Sequence, residues 1–144
     1  MPLEDVALPL LIATVLGAAL GYNRELHDKP AGFKTLALVG LGAGFAPIVI
    51  LSISEPGPDA VSRVLQGVLT GVGFLGAGVI MHREQAGVVE GLTTAAVVWV
   101  VAGLGLAAGM GLHWHALIGT AIALVVLTLG SRFERRVIDG GEDD

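Results

Sequence analysis

The feature that most constrains this chain is a series of long runs without a single charged residue. Val6–Asn23 is uncharged for 18 residues, Thr35–Ser54 for 20, Val64–Met81 for 18 and Gly91–Leu112 for 22. A fifth run, Ala116–Ser131, has 16 residues and reaches 19 when His113, Trp114 and His115 form an interfacial edge. Crossing a hydrocarbon core ~30 Å thick takes about 20 mainly apolar residues as a helix. Buried helices of a water-soluble bundle would instead carry polar stripes at a 3.6-residue period, and these runs have none. Only 15% of residues are charged and 53% are hydrophobic, whereas soluble domains average about 25% charged. The expected solvent is a lipid bilayer and the expected fold is an all-α integral membrane protein. Its five transmembrane helices cover about 6–23, 35–54, 64–81, 91–112 and 113–131, within a transmembrane domain of residues 1–136.

The bases set an orientation. Arg24, Lys29 and Lys34 lie between runs 1 and 2, Arg83 between runs 3 and 4, and Arg132, Arg135 and Arg136 after run 5. Only Arg63 falls on the opposite side, near the acidic loop 55–59. Basic short loops face the cytoplasm, so the N-terminus is expected outside and the C-terminus inside. The acidic N-terminal "MPLED" is unlike the positive start of a signal peptide, and run 1 reads as a retained helix. Pro30, Pro56 and Pro58 are read as loop residues. Residues 137–144 form an acidic tail, expected to be disordered. No basic tract suggests nucleic acid, and the absence of cysteine excludes disulfide and thiolate chemistry.

"TGVGFLGAGV", residues 70–79, contains G-x-G-x-x-G at Gly71, Gly73 and Gly76. A dinucleotide cradle of that spacing needs a preceding strand, a helix opening at the motif and an acid ~20 residues later. Here the motif is inside an uncharged span, and Ala95 and Ala96 occupy the acid's place. The alternative is a helix stripped of side chains so that neighbours approach closely. Gly67, Gly71, Phe74 and Gly78 share one face, Gly73 and Gly76 open a second, and GxxxG recurs at Gly17/Gly21, Gly40/Gly44 and Gly105/Gly109. Small residues allow close packing where lipid removes the hydrophobic force between helices. On this reading helix 3, smooth on two faces, is expected at the centre, with glycine faces left over for a homodimer.

Shifting the chain by 59 residues aligns 11–44 with 70–103 at 11 identities, including Gly17/Gly76, Arg24/Arg83, Glu25/Glu84, Gly32/Gly91 and Thr35/Thr94. Two related hairpins that start on the same side, followed by a closing helix, are expected, with a parallel repeat axis along the membrane normal. Arg24, Glu25, Lys34, Thr35, Arg83, Glu84, Glu90, Thr93 and Thr94 would then gather at one cytoplasmic mouth. The threonines fall in the first turns of helices 2 and 4, whose N-termini carry partial positive charge.

"GYNRELHDKPAGFKT", "RVLQGVLTGVGFLGAGVIM" and "GLTTAAVVWVVAGLGLAAG" resemble the transmembrane domain of the MgtC/SapB family of bacterial membrane proteins, from about Val6 to Gly130. The family-like residues are Arg24, Glu25, Ala31, Gly32, Thr35, Arg63, Gly71, Gly73, Phe74, Gly76, Gly78, Gly91, Thr93, Thr94 and Trp99. Lys34 stands where members often have Arg, Gly67 where a Gln is frequent, and the soluble cytoplasmic domain of many members has no counterpart here. The resemblance implies a multi-pass protein of the bacterial inner membrane, linked to magnesium homeostasis and low-Mg²⁺ adaptation. It also implies that some members act by binding other membrane complexes, ATP synthase among them.

Two functions stay open: a regulatory or interaction protein, and a Mg²⁺ or small-solute transporter with its site at the cytoplasmic mouth. Intramembrane acids usually mark an ion path, and the five runs contain none. A neutral path lined by glycine carbonyls, Thr35, Thr70 and Thr94 is the alternative. Arg24/Glu25 and Arg83/Glu84 read either as interfacial pairs that neutralise each other or as part of an ion site, and Glu90 as a helix-dipole partner. Arg63 is expected to pair with Glu55 or Asp59. No enzymatic residue set can be assembled. No cofactor is expected, and Mg²⁺ is the candidate ion.

Overall fold

The computed structural model of the chain describes residues 2–53, 56–81 and 91–139. Five α-helices make up the described residues: α1 (Glu4–Glu25), α2 (Phe33–Ile53), α3 (Pro58–Met81), α4 (Leu92–Gly109) and α5 (His113–Asp139). Each is long and apolar enough to cross a membrane.

The boundaries differ from the charge-free runs where capping chemistry intervenes. α3 starts at Pro58, not in the sixties. A proline fits the first helical position because its missing N–H would be unpartnered there anyway, and Asp59 in the first turn complements the helix dipole. Pro58 is therefore helical instead of a loop residue, and Arg63 is on α3. α4 stops at Gly109 because Gly111 takes φ +80° and Leu112 N–H reaches back to the Ala107 carbonyl, a Schellman ending. α1 closes the same way: Lys29 N–H bonds the Arg24 carbonyl, with Asp28 at φ +51°. α5 continues past residue 131 to Asp139, so the acidic segment predicted to start at 137 is helical over its first residues. Residues 140–144 lie outside the described residues.

Pairwise contacts fix the helix directions. Gly17 faces the Leu36 backbone and Gly40 faces Ala13, so α1 and α2 are antiparallel. Gly76 meets Ala95, and Gly91 meets Val79 and Ile80, so α3 and α4 are antiparallel too. The Gly40–Gly105 and Gly44–Gly109 contacts make α2 and α4 parallel. The 59-residue offset recurs in these contacts: Gly17–Leu36 maps onto Gly76–Ala95, and Gly21–Gly32 onto Ile80–Gly91. The sequence repeat is thus a repeat of packing.

α4, not α3, is the central helix. It packs against each of the other four. Leu20, Leu36, Val97, Val98 and Val101 form one buried cluster where α1, α2 and α4 converge. Ala13, Leu16, Ala108 and Ala116 form a second, towards α5. Ala43, Ala102 and Leu106 form a third, against which α3 lays Leu65, Val68, Leu69 and Val72. The expectation of a central α3 fails for a physical reason. A glycine face removes obstacles to approach but supplies little volume for dispersion contacts, whereas α4 combines bulky Val and Leu with glycines that admit neighbouring backbones.

The seam between α2 and α4 shows that closeness. A β-carbon on Gly105 would lie 2.5 Å from the Gly40 carbonyl oxygen and 3.0 Å from Ala43 Cβ. One on Gly109 would strike the Gly44 carbonyl and come within 2.7 Å of Pro47 Cγ. Gly21 likewise allows α2 to enter, with Gly32 O at 2.7 Å. At Gly17, Gly21, Gly105 and Gly109 alike, a β-carbon would collide with backbone of a neighbouring segment. A β-carbon on Gly76 would make an ordinary contact with Ala95 at 3.4 Å, while one on Gly67, Gly71, Gly73 or Gly78 would meet nothing within 4 Å among the described residues.

Candidate functional site

One end of the bundle collects the C-terminus of α1 and the N-termini of α2 and α4. Arg24, in the last turn of α1, is only 6% exposed, and its Nη2 donates to the hydroxyl of Thr94 in the first turn of α4. Thr94 is 2% exposed. A buried cation needs a partner, yet Nε of Arg24 is enclosed and has no hydrogen-bond acceptor. The pair links the first repeat to the second.

Glu25 points elsewhere. Its Oε2 accepts a 3.0 Å hydrogen bond from the Phe33 backbone N–H, the first residue of α2. The carboxylate therefore caps a helix start, where both the unpartnered N–H groups and the dipole favour an anion. The neutralising Arg24/Glu25 pair, one of the two readings of these residues, does not form. Adjacent helical residues project about 100° apart and do not face each other. Arg24 turns into the bundle and Glu25 along the loop.

The α1–α2 loop borders an open cleft of about 600 Å³, lined by Tyr22, Glu25, Lys29, Gly32, Lys34 and Thr35. Lys34 and Thr35 also border a smaller groove of about 490 Å³ between α2 and α3, beside Leu38, Gly42 and Val72. Ala31 holds φ +59° in this loop, a backbone that non-glycine residues adopt at a cost of roughly 1–2 kcal/mol. At the start of α4, Gly91 takes φ +96° and no side chain caps the helix. Gly91 is needed twice over, since a β-carbon would also meet Val79 O at 3.1 Å.

The mouth expected from the sequence is thus assembled in part. Arg24 and Thr94 meet, Glu25 is beside them in sequence but serves α2, and Lys34, Thr35 and Thr93 are exposed. Arg83, Glu84 and Glu90 lie outside the described residues, as does Glu55. Thr35 and Thr70 are exposed, whereas Thr94 is buried. Arg63 is exposed on the second turn of α3 and makes no ion pair with Asp59. Among the described residues no cluster of three or more His, Asp or Glu has metal-binding geometry.

Sequence reasoning missed Pro9 and Pro47 inside α1 and α2. It identified one glycine face of α3 but not that this face is turned outward. At 100° per residue, Gly67, Gly71, Phe74 and Gly78 point away from Leu65, Val68, Leu69 and Val72, and Phe74 is 82% exposed. The i, i+4, i+7, i+11 spacing signalled the ridge but not which way it faces.

A profile of the MgtC family matches residues 10–136. The protein SrpB of Synechococcus elongatus is 42% identical over 138 residues, which is 88% of this chain and 75% of that protein. The putative magnesium transporter YhiD of Escherichia coli K12 is 36% identical over 137 residues, 90% of this chain and 62% of the relative. The protein MgtC of Salmonella typhimurium LT2 is 44% identical over 117 residues, 81% of this chain and 48% of the relative. The chain therefore spans only about half to three quarters of these relatives. No solved structure matches it. The chain belongs to the MgtC family.

Proposed function

We propose that this MgtC-family chain is a multi-pass protein of the bacterial inner membrane that serves Mg²⁺ homeostasis by binding other membrane proteins through the outer face of α3. The observation that carries this reading is the ridge of Gly67, Gly71, Phe74 and Gly78: a β-carbon on any of its glycines would meet nothing within 4 Å among the described residues, and Phe74 is exposed. Glycine inside a helix costs about 0.5–1 kcal/mol relative to alanine, and close helix–helix approach is what offsets that cost in lipid. The same chain uses its other glycines in that way, at the α1–α2 and α2–α4 seams. A second copy of this chain and a heterologous complex such as ATP synthase are the two kinds of partner that fit. The relatives named MgtC and putative magnesium transporter support the Mg²⁺ connection. The distribution of bases supports a cytoplasmic α1–α2 loop.

Transport is the second reading, favoured by the name of the E. coli relative and by the cleft at the α1–α2 loop. The packing along the α2–α4 seam weighs against it. Gly40 with Gly105 and Gly44 with Gly109 bring the two backbones together where a path along the repeat axis would run. Purified protein in liposomes, assayed for Mg²⁺ entry beside a Glu25→Gln, Glu84→Gln double variant, separates the readings. No saturable flux is the expected result. Saturable flux that vanishes in the variant would establish transport instead.

A further inference from the structure

Among the described residues, two buried side-chain nitrogens have no hydrogen-bond partner, Nε of Arg24 and Nδ1 of His113, and of the two only that of Arg24 belongs to a permanently charged group. Its guanidinium lies against the first turn of α4, held by Nη2 on Thr94 Oγ1, while Nε is enclosed without an acceptor. Among the described residues no carboxylate pairs with it. The nearest acid in sequence, Glu25, is committed to Phe33 N–H. The first N–H groups of α4 also lack intrahelical partners, and Gly91 offers no side chain to cap them. A buried cation is thus set against the positive end of a helix dipole. Two charges of the same sign in a place shielded from water repel unless an anion stands between them or beside both. Leu92 and Thr93, in the same first turn of α4, are exposed.

We propose that Arg24, Thr94 and the first turn of α4 form a binding site for a phosphate group, carried either by a phospholipid headgroup or by a free phosphate at the membrane surface. Guanidinium presents N–H donors in a plane that matches a phosphate edge. Helix N-termini bind such anions through backbone N–H and dipole. The Thr94 hydroxyl accepts from Nη2 and fixes the guanidinium plane, leaving Nε–H to the phosphate oxygen. This site is independent of the α3 ridge and of whether the chain moves Mg²⁺.

The test reads Arg24 itself. Full-length protein with [15Nε]-arginine is purified in a phosphate-free detergent, and the Arg24 signal is assigned by its loss in Arg24→Lys. One arm adds inorganic phosphate at constant ionic strength against chloride. The other compares nanodiscs of digalactosyldiacylglycerol, which has no phosphate, with nanodiscs of phosphatidylglycerol.

A free-phosphate site moves the Nε–H resonance in the first arm, with exchange slowed on the order of tenfold, as a charge-assisted hydrogen bond implies. A headgroup site moves it in phosphatidylglycerol alone. Thr94→Val, which keeps the guanidinium, weakens the response in whichever arm shows it. A signal unmoved in both arms, or moved equally by chloride, overturns the proposal. It would mean that the chain itself satisfies Nε.

Discussion

Arg24 and Thr94 are 70 residues apart in the chain, yet the guanidinium of one donates to the hydroxyl of the other inside the bundle. Each belongs to a different hairpin of the repeat, so the bond joins the two halves at one end. The glycine seam of α2 and α4 joins them along their length. The consequences of both can be measured.

Removing the acceptor should be costly. Thr94→Val keeps shape but leaves a buried N–H group without a partner, which costs about 1–3 kcal/mol. Thr93→Val, one residue away and exposed, should fall within about 0.5 kcal/mol of the parent. Unfolding in detergent, followed for both variants, checks the contrast.

Glycines of one chain should divide into two classes. Gly105→Ala and Gly109→Ala force apart the α2–α4 backbones, where the would-be β-carbon meets Gly40 O or Pro47 Cγ at 2.5 and 2.7 Å. Overpacking of this kind costs about 1–3 kcal/mol. Gly67→Ala and Gly103→Ala meet nothing within 4 Å, and the stability of the isolated monomer should be unchanged or slightly raised, by less than about 1 kcal/mol. Monomer unfolding midpoints for the four variants give the answer.

Glu25 separates a cap from an ion ligand. Glu25→Gln retains an oxygen for Phe33 N–H and should lower stability by less than about 1 kcal/mol, chiefly through the lost charge at the helix start. Glu25→Ala removes the acceptor and should cost roughly 1 kcal/mol, as N-cap losses do. Equal effects of the two substitutions on thermal stability would contradict the cap.

Backbone conformation gives opposite signs at two loop positions. Gly91→Ala places a side chain at φ +96° and 3.1 Å from Val79 O, and should destabilise by at least ~1 kcal/mol. Asp28→Gly, exposed and at φ +51°, relieves the same kind of strain and should stabilise by up to roughly 1 kcal/mol. Midpoint shifts of opposite direction are expected in parallel melts.

Much of the fold was legible because lipid imposes a coarse rule: a span without charge long enough to cross becomes a helix. The five helices and the repeat followed from runs and offsets alone. Helix ends moved where Pro58, Gly111 and Asp28 set local geometry that a charge count cannot register. The central position of α4 was not legible, since glycine spacing identifies faces able to pack without saying which neighbour arrives. The site was half legible. Matching offsets marked Arg24, Glu25 and Thr94 as special, but the pairing across hairpins depends on tertiary contact. Arg24 and Glu25, adjacent in sequence, diverge because helical neighbours point apart.

The outer ridge of α3 offers the sharpest test. Phe74 can be replaced by the photo-crosslinking residue p-benzoylphenylalanine with little change of shape, and Phe45 on α2, also exposed, serves as the control. Irradiation of living cells that carry differently tagged copies should give a discrete adduct with a second polypeptide from position 74, either another copy of this chain or a heterologous partner, and none from position 45. Lipid adducts alone at both positions would contradict a protein-binding role for the ridge.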